Sequence, residues 1–132
     1  MNLKEILTIS KKKGLYKMVS QGKNSIIVES LENKLRMPVF TSSQVSSLND
    51  ICIFTDDEDV PLEKVFKKIF LTTSGDKVQE SRMANDVELK KYMEEILPEY
   101  DKNKVHVSDM KKLFVWYNIL YDNDLLIFED NE

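Results

Sequence analysis

The chain holds one histidine, His106, and one cysteine, Cys52, far apart in sequence. A general base needs a nucleophile within hydrogen-bond reach and a third group to orient it. Ser108 and Asp109 follow His106 closely, but Ser108 stands where a helix N-cap is expected, its hydroxyl turned to its own backbone. His106 is therefore expected to be structural or solvent-exposed. One His and one Cys do not close a zinc shell. Cys52 lies between Ile51 and Ile53 in an apolar run, which predicts a buried, unreactive thiol.

The acids offer little more. Asp101-Lys102-Asn103-Lys104-Val105-His106 faintly echoes a calcium loop. Aligned that way, Val105 takes the place of an oxygen ligand, His106 that of the turn glycine and Lys112 that of the closing glutamate. A lysine there repels the cation. Asp56, Asp57, Glu58 and Asp59 precede Pro61 and an apolar stripe, as acids at a helix N-terminus do. The competing reading is an enzyme using Asp56, Asp57 and Asp59 with a borrowed metal, which a titration with magnesium, manganese and calcium tests. Glu94 and Glu95 beside Lys90 and Lys91 read as solvated helix-surface pairs. Three glycines supply neither a dinucleotide-binding nor a phosphate-loop spacing. These residues assign no catalytic, cofactor or metal site; the expectation is a non-enzyme without cofactor.

What remains is basic. Lys11-Lys12-Lys13-Gly14, then Tyr16 and Lys17, with Lys23 further on, place cations around an aromatic ring. Such a loop contacts a phosphate backbone while the ring stacks a base, or it contacts a partner protein. The bland alternative is a solvated loop before a strand whose Tyr16 packs inward. Four lysines give only a weak, salt-sensitive attraction. Trp116-Tyr117, at helical spacing, read as core rather than as a stacking platform.

The elements that must position these residues fall into two parts. Leu15–Ser20 and Ser25–Ser30, around Gln21-Gly22-Lys23-Asn24, read as a hairpin. Glu32-Asn33-Lys34 turns the chain into Leu35–Phe40, whose Pro38 belongs at an edge or bulge. Ile6–Ile9 is read as a strand, Ser42–Ser47 as a polar turn and Asn49–Thr55 as a buried strand. Leu62, Val65, Phe66 and Ile69 form one helical stripe at i, i+3, i+4, i+7. Asn85 or Asp86 caps a helix ended by Pro98, and a last helix runs from Ser108 to Tyr121. The expected organisation is a β-rich domain with a closing helix over 1–71, a linker over 72–84, and a helical domain with an acidic tail over 85–132. The fold class is α+β, with a small SH3-like β-barrel or a bent antiparallel sheet.

Composition sets the setting. The chain has 132 residues, 42% apolar and 32% charged, with a formal net charge of −4. Residues 1–54 carry +4, whereas residues 84–132 carry −6. Any nucleic-acid contact therefore belongs to the first half. No apolar run approaches the roughly 18 residues that a bilayer span needs. The N-terminus lacks a secretory pattern, and a lone cysteine fits a reducing cytoplasm.

Gly14-Leu15-Tyr16-Lys17, Ile27-Val28-Glu29-Ser30-Leu31, Val60-Pro61-Leu62 and Trp116-Tyr117-Asn118-Ile119-Leu120 occur in this order. With these strings the chain resembles a family of small proteins of unknown function from Bacteroidetes-type bacteria, over most of residues 3–121. The resemblance implies a bacterial, cytoplasmic setting and brings no catalytic residues. Members carry a Gly-Lys-Pro-Gly-like turn where this chain has Lys11-Lys12-Lys13-Gly14, so the family implies no role for the lysine run.

The leading expectation is a non-catalytic binding or adaptor module that contacts another protein. The alternative is a weak RNA- or DNA-contacting module using Lys11, Lys12, Lys13, Tyr16, Lys17 and Lys23.

Overall fold

The computed structural model describes residues 3–40 and 44–128, which form two compact units, Asn2–Ile51 and Cys52–Glu132. The first unit is a sheet. Its strands are β1 (Ile6–Ile9), β2 (Tyr16–Gln21), β3 (Ser25–Ser30), β4 (Arg36–Phe40) and β5 (Val45–Ser47). They lie in the order β4-β3-β2-β1-β5, every neighbouring pair antiparallel.

Short turns set the register. Gly22 N–H donates to the Ser25 carbonyl at 2.8 Å and closes the β2–β3 hairpin. Between β3 and β4, Ser30 Oγ accepts from the Glu32 and Asn33 amides, and Asn33 Oδ1 accepts from Leu35 N–H. These side chains replace the backbone partners that a tight turn cannot supply. Alternation then places Ile9, Tyr16, Val28 and Val39 in the buried cluster, with Leu7, Ile26, Met37 and Val45 packed against it.

The second unit opens with a two-residue ladder, β6 (Cys52–Ile53) on β7 (Val60–Pro61). Helices α1 (Leu62–Thr72), α2 (Asp86–Ile96) and α3 (Val107–Asp122) follow. Pro61 is the N-cap of α1, and Leu62, Val65, Phe66 and Ile69 are its buried face, as the stripe predicts. Asn85 Oδ1 accepts from Glu88 N–H at 3.0 Å and caps α2. Helix α3 carries the largest buried set, with Met110, Leu113, Phe114, Tyr117, Ile119 and Leu120 enclosed.

The α+β class stands, and the sheet is open. The strand order has β4 and β5 as its two ends, so the closed barrel gives way to an open antiparallel sheet. The division falls at 51/52 rather than at 71/72, and α1 belongs with the helices. Residues 72–84, expected as a linker, are held against α3. Val78, only 3% exposed, donates its N–H to Asn118 Oδ1 at 2.8 Å and accepts from Asn118 Nδ2 at 3.0 Å. Tyr117 Oη donates to the Asp76 carbonyl at 2.8 Å and shares a 3.2 Å hydrogen bond with Thr73 Oγ1. The segment stays largely exposed, with Val78 alone buried, and distant side chains satisfy the backbone at that point.

Two strand expectations also shift. Val45–Ser47 is the strand β5 instead of turn, paired with β1 through Leu7, Thr8 and Ile9. In place of a buried strand over Asn49–Thr55, a 3-10 turn (Leu48–Asp50) precedes the short β6. Ser47 Oγ accepts from Asn49 N–H, and its backbone and hydroxyl bonds break the extended run.

Candidate functional site

The lysine run occupies the turn between β1 and β2. Lys12 N–H donates to the Ile9 carbonyl at 3.0 Å, Lys11 adopts φ +67° and Gly14 φ +89°. Lys11, Lys12 and Lys13 are all exposed. Tyr16 is buried in the sheet core, and its hydroxyl donates to the Lys13 carbonyl at 3.0 Å. The ring is thus a tether for the turn and presents no stacking face, as the bland reading of Tyr16 holds. Glu32 also reaches this turn: a Cβ on Gly14 would collide with its carboxylate. An acid seated in the lysine turn reduces its pull on phosphate.

The remaining cations sit elsewhere. Lys17 lies on β2 with Glu29 opposite, and Lys23 is in the hairpin turn beyond the other end of β2. At ~3.3 Å per residue, the length of β2 puts roughly 20 Å between Lys23 and the lysine turn. The structure therefore gathers Lys11, Lys12 and Lys13, puts Lys17 opposite Glu29 at the near end of β2, and separates Lys23 from them.

His106 is the N-cap of α3, a place expected for Ser108, which lies inside the first turn. Its N–H donates to the Asp109 carboxylate at 3.1 Å, while the residue is exposed. Asp101 Oδ1 accepts from the Asn103 and Lys104 amides, so the calcium-like segment is an ordinary side-chain-capped turn. The acids 56–59 are exposed, with Thr55 Oγ1 accepting from Asp57 N–H and donating to the Glu58 carbonyl. Among the described residues, no three His, Cys, Asp or Glu side chains converge on one point. Cys52 is exposed rather than buried: β6 alternates, turning Ile53 inward and Cys52 outward.

In the second unit, a shallow groove is lined by Phe70, Gly75, Tyr121, Asp122, Asp124 and Leu126. Asp122 is already paired with Lys77 at 3.0 Å. Burial pushes the Tyr92 phenol up to about 12 and the Tyr117 phenol in the same direction. Both rings are core groups without an exposed reacting atom.

The outward face of the sheet unit carries exposed apolar side chains. Register places Lys17, Glu29 and Arg36 in one cross-strand row on the outward face of β2–β3–β4. The next row is Ser20, Ile27 and Pro38, and then come Ser25 and Phe40. Arg36 Nε donates to Glu29 Oε1 at 3.1 Å. Phe40, on this face, is 60% exposed, whereas the exposed Met18 pairs with the buried Val28 and so belongs to the opposite row. The signal was present in the alternation of Arg36, Pro38 and Phe40 against Met37 and Val39.

Among the described residues, no helix is long and apolar enough to cross a membrane. No curated protein matches the chain. A solution NMR structure of a structural-genomics target from Bacteroides vulgatus is similar, with 44% identity and a TM-score of 0.77. The match covers 94% of this chain and 89% of that one. Residues 3–48 match the family model described as a domain of unknown function (DUF5606). Residues 51–120 match a second, also described as a domain of unknown function (DUF6852). The two matches divide the chain where the two compact units do. The resemblance drawn from Gly14-Leu15-Tyr16-Lys17 and its companion strings is thus borne out: with the DUF6852 match spanning more than half of its length, the chain belongs to that family, and the similar Bacteroides vulgatus structure shares its fold.

Proposed function

We propose that the chain is a non-catalytic binding or adaptor module that contacts another protein in a bacterial cytoplasm. The observation that carries this reading is the exposure of Phe40 and Pro38 beside the half-buried Ile27 on the outward face of β3 and β4. Apolar side chains gathered on a solvated sheet mark interaction surfaces more often than they mark chemistry. The strand order, in which β5 returns to β1, supports kinship of the sheet unit with SH3-like binding platforms, an argument by analogy alone.

The test is a gentle affinity purification of the full chain from its native host, with mass-spectrometric readout and a nuclease-treated arm. The expected result is a partner protein recovered in both arms. Recovery that vanishes with nuclease would discard the protein-binding reading.

The second reading is weak RNA or DNA contact, favoured by the three adjacent exposed lysines of the β1–β2 turn. It predicts retention on heparin at low salt that disappears when Lys11, Lys12 and Lys13 are replaced by Glu. Unchanged retention in that variant removes the reading.

A further inference from the structure

The outward face of β2–β3–β4 combines a charged row, Lys17–Glu29–Arg36, with an apolar stretch, Ile27–Pro38, ended by Phe40. We propose that this face docks an acidic segment of a partner protein, in which an apolar or aromatic side chain is flanked by carboxylates. The inference rests on the protein-binding reading and adds the surface and the chemistry of what it takes.

Three observations select that occupant. Charge is the first. Residues 1–51 carry eight basic and four acidic side chains, a balance of +4. On the face itself Arg36 is engaged with Glu29, which leaves the row with one cation in excess. A carboxylate-bearing partner is drawn to it and a basic one repelled.

The second is the apolar stretch. The inward side chains of β3 and β4, Val28 and Val39, are buried, so Phe40 and Pro38 have no part in that core. An exposed ring beside a proline and an isoleucine makes a shallow apolar seat for one anchor side chain.

The third is the state of the edges. Pro38 removes a ladder donor in the middle of β4, and β5 is three residues long. Strand addition at either end of the sheet is thereby discouraged, and a partner approaches face-on. Nucleic acid fits the same face poorly. Glu29 stands within the cation row, and among the described residues of these rows Phe40 is the one aromatic ring, with Tyr16 committed to the core. Phosphates want an unbroken cationic track and successive stacking rings.

The experiment titrates the isotopically labelled full chain with a short synthetic peptide in which Glu and Asp flank a central Leu-Phe. Counter-probes are the same peptide with Lys for every acid, the same peptide with Ser for Leu-Phe, and a short polyuridine. Expected are amide shifts at Lys17, Ile27, Arg36 and Phe40 with the acidic Leu-Phe peptide only. Phe40→Ser and Lys17→Gln together weaken binding roughly tenfold while the spectrum keeps its dispersion. Arg36 is left in place because it holds Glu29.

Absence of shifts at millimolar acidic peptide overturns the proposal. So do equal shifts with either altered peptide, or shifts confined to Lys11, Lys12 and Lys13. A host partner that the Phe40→Ser, Lys17→Gln variant still retrieves at full yield overturns this face while the protein-binding reading survives. Binding of polyuridine alone overturns both.

Discussion

Gly14 sits at φ +89° with the Glu32 carboxylate where a β-carbon would go. Positive φ and close approach are two separate demands for glycine at one position. Gly14→Ala is expected to lower the stability of the sheet unit by about 1–2 kcal/mol. Urea denaturation of this variant, alone and with Glu32→Ala, apportions the loss: the second change relieves the collision and leaves the cost of φ. A loss that Glu32→Ala does not reduce would assign the whole effect to the backbone.

Tyr92 makes a different prediction at the same scale. Burial holds its phenol protonated up to about 12, although the Arg82 guanidinium, 4.7 Å from the ring centre, pulls the other way. Burial raises Tyr117 as well. A group whose folded value lies above its ordinary value near 10 binds its proton more tightly when folded. Its contribution is complete below that ordinary value and is lost as pH climbs through the folded one. The melting temperature should therefore fall between about pH 10 and pH 12, and Tyr92→Phe should make that fall shallower. An equally steep fall in the variant would place the titration on other groups.

Asn118 shows how an element is held by a side chain forty residues away. Its amide makes both hydrogen bonds of the buried Val78 backbone, one as acceptor and one as donor. Asn118→Ala leaves a buried N–H and a buried C=O unpaired and should cost about 2 kcal/mol. Hydrogen exchange at the Val78 amide should rise well beyond the exchange of the α1 interior. Unchanged protection there would mean that another group holds the segment.

The same pair explains what could be read in advance and what could not. The α1 stripe, the Asn85 cap and the two β-turns follow from neighbours within a few positions, and each was legible. The segment 73–78 takes its order from Tyr117 and Asn118, so local polarity mimicked a linker. Val45–Ser47 is a strand because β1 pairs with it, not because its residues favour one. At the candidate site, exposure of Lys11, Lys12 and Lys13 could be foreseen. The Glu32 carboxylate in their turn and the Arg36–Glu29 pair could not, because register decides both.

For the molecule as a whole, the unit boundary sharpens the charge segregation seen in the sequence. Residues 1–51 carry +4, whereas residues 52–132 carry eleven basic and nineteen acidic side chains, a balance of −8. The second unit is compact against its own repulsion. Its exposed pairs, Lys77–Asp122 and Arg82–Glu95, offset little of this, since such pairs contribute ~0–1 kcal/mol each. Sodium chloride screens repulsion and pairs alike, but a net charge of −8 outweighs surface bridges of this size. Trp116, the single tryptophan, lies in α3 and reports on this unit alone. Its fluorescence midpoint should rise by a few degrees between low salt and about 0.5 M sodium chloride, where the screening length falls to a few ångströms. Replacing two exposed acids of α2, Glu94 and Asp86, by Gln and Asn should reproduce part of that gain at low salt. A midpoint that drops with salt would mean that ion pairing, and not net repulsion, governs the acidic unit.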